Sequence, residues 1–157
     1  MKALTSIIVV AAVLAAASSW AAGGRDAAPA APEDPVIEKT RAAIGSRNWT
    51  QAQEIVREGL AKNPGNADYH NLYAYSIRMG ANPQMDLVFR HYNEALRIDP
   101  DHRGAHEYLG EAYLMTGNVP KAKEHLKVLD RLCVLPCKEY TMLKKSVAEY
   151  EAKQAPK

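Results

Sequence analysis

GAHEYLGEAYLMTGNVPKAKEHL, residues 104–126, sets His106 beside Glu107, with Glu111 four positions on and His125 near its end. The stretch reads either as a metal or catalytic cluster or as two packed helices. His106, Leu109, Gly110 and Tyr113 fall at i, i+3, i+4 and i+7, which is one face of an α-helix. Thr116-Gly117-Asn118 then breaks the pattern, as Gly and Asn do at a helix C-terminus. Pro120 suits the first turn of a following helix, where a missing N–H removes no hydrogen bond. Ala122, Leu126 and Leu129 continue an apolar stripe. The spacing predicts a helix–turn–helix.

Overlaying the chain on itself extends that reading in both directions. Glu58-Gly59-Leu60-Ala61-Lys62-Asn63-Pro64 lies over Glu94-Ala95-Leu96-Arg97-Ile98-Asp99-Pro100 at an offset of 36. The same offset carries Pro100 to Pro136 and Leu96 to Leu132. Asn48-Trp49-Thr50-Gln51-Ala52 matches Asn118-Val119-Pro120-Lys121-Ala122, and Leu72 and Gly80 match Leu109 and Gly117. Helix pairs of this period cannot bury their apolar faces alone, so the core must form between stacked neighbours.

On these residues the chain resembles the tetratricopeptide repeat (TPR) family, whose unit is about 34 residues. Leu109-Gly110, Tyr113 and Ala122 match the family pattern in the third unit, and Tyr92, Ala95 and Pro100 match it in the second. The first unit keeps Trp49, Ala52 and Pro64 but has Gly59 where Ala is usual. The expected fold is all-α, an α-solenoid of three TPR units at about 33–66, 67–102 and 103–136. A capping helix follows at about 137–153, with Tyr140, Leu143, Val147 and Tyr150 on one face. In the second unit Ala81-Asn82-Pro83-Gln84-Met85-Asp86 forms an inter-helix turn two or three residues longer than its equivalents. Either Tyr73 or Ala74 can occupy the small-residue position of that unit, and Ala74 suits close helix approach better.

Upstream of residue 35 the sequence has a different character. Lys2, an apolar run from Leu4 to Ala17, and Ser19-Trp20-Ala21 make the layout of a secretory signal peptide, with cleavage expected after Ala21. The run is shorter than the roughly 20 residues that span a bilayer, so no membrane span is expected after cleavage. Residues 22–34 are rich in Ala, Pro and Gly and read as a disordered linker to a domain at 35–153. The expected location is the periplasm or beyond. Loss of Lys2 leaves 19 basic residues (20 less one) against 18 acidic ones. That balance lacks the basic surplus of a nucleic-acid binder.

Few residues invite chemistry. His102 and His106 stand four apart with Glu107 and Glu111 nearby, but HEYLG is not H-E-x-x-H, and His102 belongs to the turn before the helix. His70, His91 and His125 each stand alone in the sequence. Cys133 and Cys137, in CVLPC, suit a structural disulfide in an oxidising compartment. They lack the Cys-x-x-Cys spacing of a redox pair and of haem attachment. No catalytic residue, metal site or cofactor is expected. The TPR resemblance implies a concave groove lined by the first helix of each pair, holding a peptide or helix of a protein partner. The lining positions are Arg41 in the first unit, Asn71, Tyr75 and Arg78 in the second, and Glu107, Glu111 and Met115 in the third, with His102 at the turn. That wall would be basic towards one end and acidic towards the other. It does not reproduce the Lys/Asn/Arg set with which some family members clamp a C-terminal carboxylate. The expected function is a non-catalytic adaptor of the bacterial cell envelope. The alternative is a metal-handling or thiol-redox accessory protein using His102/His106 or Cys133/Cys137.

Overall fold

A computed structural model describes residues 34–135 and 137–155. The expected signal peptide, most of the expected linker and Pro136 lie outside the described residues. Among the described residues seven helices follow in order: α1 (Pro35–Gly45), α2 (Trp49–Lys62), α3 (Ala67–Arg78), α4 (Met85–Ile98), α5 (Arg103–Met115), α6 (Val119–Leu132) and α7 (Lys138–Gln154). No strand occurs among the described residues. The architecture is the expected all-α helical solenoid: three helix pairs and a final helix. None of these helices is long and apolar enough to cross a membrane.

The helix starts are written in the local sequence. Asp34, Asn48, Asn66, His102 and Asn118 each accept a backbone N–H of the first turn through the side chain. Pro35 and Pro120 fill first-turn positions where no N–H is needed. Two of the three within-pair turns share one C-terminal geometry. Asn118 N–H reaches Tyr113 O at 2.8 Å past Gly117, whose φ is +78°. Asn48 N–H reaches Ala43 O at 2.8 Å past Arg47, whose φ is +58°. This left-handed position suits Gly and strains an arginine. The third such turn, between α3 and α4, runs from residue 79 to 84. Met85 and Asp86 belong to α4 and not to the turn, because Gln84 C=O already accepts the first helical N–H groups.

Three apolar clusters stack along the chain, each shared between neighbours. Ile37, Val56, Tyr69 and Leu72 join α1 and α2 to α3. Ala74, Ile77, Val88, Tyr92, Leu109 and Ala112 join α3 and α4 to α5. Leu114, Ala122, Leu129, Leu143 and Val147 join α5 and α6 to α7. Ala74 is fully buried and Tyr73 only half-buried, so the smaller residue takes the close-packing position. Gly110 shows why size matters there: a Cβ on it would stand 2.6 Å from Leu143 Cδ2 of α7. Gly59, the departure from the usual Ala, has the same cause, since a Cβ would meet Val36 Cγ1 at 2.8 Å.

Each odd-numbered helix touches the next odd one, whereas α2, α4 and α6 do not touch one another. The row α1, α3, α5, α7 therefore forms the tighter, inner side of the stack.

Candidate binding groove

Two hollows open on this inner row. The first, about 460 Å³, lies where the N-terminal ends of α3, α5 and α7 converge, with Arg41 of α1 at its side. Its lining includes Asn71, His102, Tyr108 and Glu107, and it carries five carboxylates (Asp68, Asp99, Asp101, Glu107, Glu139) against three cations (Arg41, Arg103, Lys138). The second, about 400 Å³, lies towards the C-terminal ends and is lined by Arg78, Glu111, Leu114, Met115, Ser146, Glu149, Tyr150 and Lys153. Of the eight wall positions expected from sequence, four fall in the first hollow and three in the second. Tyr75 stands between, 4.7 Å from the Tyr108 ring and with the Arg78 guanidinium 5.4 Å from its centroid.

The wall is not the solvated surface that its sequence suggests. Arg78 is only 6% exposed and is engaged within the fold. Its Nη2–H donates to Glu111 Oε2 at 2.8 Å, its Nε–H to Tyr92 Oη at 3.4 Å and its Nη1–H to Met115 Sδ at 3.7 Å. It also lies over the Tyr108 ring. Glu111 Oε1 accepts from Ser146 Oγ of α7. The expected separation of a basic end from an acidic end therefore does not hold: the basic residue of one unit neutralises the acidic residue of the next. Met115, at 53% exposed, is an accessible apolar contact on this row.

Asn71 and Glu107 are buried as well, at 6% and 5% exposed. Asn71 Oδ1 accepts no hydrogen bond. Burial pushes the Glu107 carboxyl up to about 7, and the neighbouring carboxylates Glu111 and Glu139 add to the effect. His102 caps α5 through Nδ1, which accepts Ala105 N–H at 3.1 Å. Its Nε2 stands 3.3 Å from Asp68 Oδ1, at ion-pair distance but without hydrogen-bond alignment. That contact holds the Asp68 carboxyl below its ordinary range.

The histidines that stand alone in the sequence are paired in space. His70 Nε2 lies 2.9 Å from Pro64 O, and His70 Nδ1 lies 2.8 Å from His91 Nδ1. The next unit repeats this arrangement with the same distances: His106 Nε2 to Pro100 O, and His106 Nδ1 to His125 Nδ1. A carbonyl only accepts, so Nε2 of His70 and of His106 carries the proton, and each Nδ1 keeps a lone pair. His91 and His125 must then donate from Nδ1. Burial, with the partner ring adding to it, pushes both donors down to about 4. These pairs tie the second helix of each unit to the first and to the preceding turn. The sequence overlay contains the signal, since Pro64 and His70 map onto Pro100 and His106 at the common offset of 36.

Between α6 and α7 the sulfurs of Cys133 and Cys137 lie at bonding distance, with their Cα atoms 5.7 Å apart. Val134 and Leu135, inside this short loop, are 95% and 80% exposed. Asp68, Tyr108, Lys138 and Glu139 of the first hollow, and Ser146 and Tyr150 of the second, were not among the expected wall residues. Four of these six belong to the final helix, which is a wall of the groove as well as the cap of the stack.

No protein-family model matches the chain, and no curated protein matches it. Solved structures do. The type III secretion translocator chaperone SycD of Yersinia enterocolitica superposes with a TM-score of 0.65 at 14% identity, over 76% of this chain and 83% of that one. SycD in complex with a peptide of the translocator YopD gives 0.63 at 13% identity, over 76% and 92%. MamA of Desulfovibrio magneticus RS-1 gives 0.56 at 19% identity, over 64% and 57%. At such identities the likeness is one of fold. The chain shares its fold with these TPR-like helical repeat proteins.

Proposed function

We propose that this protein is a non-catalytic adaptor that holds a segment of a partner protein along the inner row of helices, and that it works in the bacterial cell envelope. The observation that carries the reading is the pair of hollows, about 460 and 400 Å³, spaced along one continuous wall of four helices. A peptide or helix laid on that wall would meet a polar hollow at one end and the exposed Met115 at the other. The comparison with SycD, which has been crystallised with a peptide of YopD, supports this use of the fold. The leader at residues 1–21 supports export. The metal-handling alternative loses His106, both of whose ring nitrogens are engaged by Pro100 and His125, and His102 Nδ1 caps α5.

The test is site-specific photo-cross-linking in cells, with the reactive residue at Met115 or Arg103 on the inner row, or at Lys127 on α6 as control. One dominant partner captured from the two inner positions and not from Lys127 supports the adaptor. Equal capture at all three overturns it. N-terminal sequencing of the cross-linkable protein itself, expected to start at Ala22 in the periplasmic fraction, tests export in the same sample.

A further inference from the structure

The first hollow has a chemistry of its own. Asn71 and Glu107 are both more than nine-tenths buried and both line it. Asn71 offers it an unpartnered carbonyl oxygen, and Glu107 a carboxyl whose charge is opposed by burial and by its neighbours Glu111 and Glu139. An unpartnered buried acceptor is destabilising, so a fold that keeps one beside a buried carboxyl on a cavity is arranged for something other than its own stability. A group that meets both must donate a hydrogen bond to Asn71 Oδ1 and oppose the charge of the Glu107 carboxylate. An ammonium, with three donors, and a guanidinium, with five, do both, whereas an amide or hydroxyl donates without the charge. The surplus of two carboxylates around the hollow selects for positive charge.

We propose that the hollow beneath Asn71 and Glu107 is a recognition pocket for a lysine or arginine side chain of the partner segment. This rests on the adaptor reading and gives its groove a sequence requirement. Arg41 faces Glu107's hollow from α1, Asp68 from α3, Asp99, Asp101 and His102 from the turn before α5, Arg103 and Tyr108 from α5, and Lys138 and Glu139 from α7, while Arg78 and Glu111 act on its carboxyl from the far side. In the empty pocket the raised carboxyl holds its proton over part of the time near neutrality. An incoming cation favours the carboxylate and releases that proton. Affinity for a basic segment therefore climbs as pH rises from 6 to 8.

The experiment is selection of displayed random 12-residue peptides on the purified protein, followed by binding measurements on synthetic winners. Winners are expected to share a Lys or Arg at one fixed position. Changing that residue to Gln should weaken binding about tenfold, the equivalent of about 1.4 kcal/mol. The penalty should vanish in Glu107→Gln, a near-isosteric variant whose fold is checked by circular dichroism. Glu139→Gln, at the half-buried rim, should give a loss of a few-fold without any risk to the fold. Winners with no fixed basic position, or a Lys-to-Gln penalty unchanged in both variants, overturn the pocket and leave the groove standing. Winners that ignore Met115→Asp as well as Glu107→Gln, or no winners at all, overturn the groove reading itself.

Discussion

The paired histidines and Glu107 pull the acid stability of this fold in opposite directions, and the balance can be worked out. His91 and His125 sit at about 4 in the folded chain against an ordinary 6.5. The unfolded chain therefore binds protons first as pH falls, so stability is whole above 6.5 and is lost towards 4. At pH 5 each ring lies 1.5 units below its unfolded value, worth about 2 kcal/mol at 1.36 kcal/mol per unit. Both rings are half-exposed, and solvent screening reduces this to about 1 kcal/mol each, about 2 together. Glu107 has the reverse sign. Its carboxyl is raised to about 7, so the folded state binds the proton first and gains as pH falls towards 4.5. Across the interval from 7 to 5 that gain is also about 2 kcal/mol. Urea unfolding followed by circular dichroism at pH 7.5, 6.0 and 5.0 should show a nearly flat wild-type profile. Glu107→Gln should expose the histidine loss, about 2 kcal/mol between pH 7.5 and 5. In His91→Gln/His125→Gln the amide still donates to His70 and His106, and the profile should turn upward on acidification by a similar amount. Identical profiles for the three proteins would refute both the histidine geometry and the burial of Glu107.

Four further perturbations address the stack. Arg47→Gly removes a side chain from a left-handed position at φ +58° and should stabilise by about 0.5–1 kcal/mol in urea unfolding. Gly110→Ala gains helix propensity but drives a Cβ into Leu143, so thermal unfolding should show a net loss of about 1–2 kcal/mol. Arg78→Ala breaks a buried pair and uncovers Tyr92, and should cost about 3 kcal/mol by chemical denaturation. Reducing Cys133–Cys137 releases a small loop and should lower stability by about 2 kcal/mol, with amide exchange quickening first in α7.

The fold was legible because its rules are local and repeat. Asn caps, a Gly at a left-handed turn and small residues where helices touch each leave a mark at a fixed place in the unit, and self-overlay finds them without a structure. The long turn was legible in length but not in its end, since Met85 has no cap in the sequence to announce α4: Gln84 makes no capping side-chain bond.

The site was legible in position and not in chemistry. A family position says that a residue lies on the inner row, and Arg78, Glu107 and Asn71 do lie there. Whether it can touch a ligand depends on what the next unit brings against it, about 33 residues away for Arg78 and Glu111. The sequence shows those charges as a gradient along a wall, yet this guanidinium is already engaged by Glu111 and Tyr92 and lies over two tyrosine rings, so its charge is answered within the fold. Glu107, on the same helix face one turn earlier, is not the carboxylate that Arg78 reaches. The difference between the two glutamates is therefore made by α3, where Arg78 answers Glu111 and the uncharged Asn71 faces the hollow that Glu107 lines. The second unit answers the charge of Glu111 in the third and sets only the uncharged Asn71 towards the hollow of Glu107. On that asymmetry, and not on the composition of the wall, the groove's preference for a basic partner segment rests.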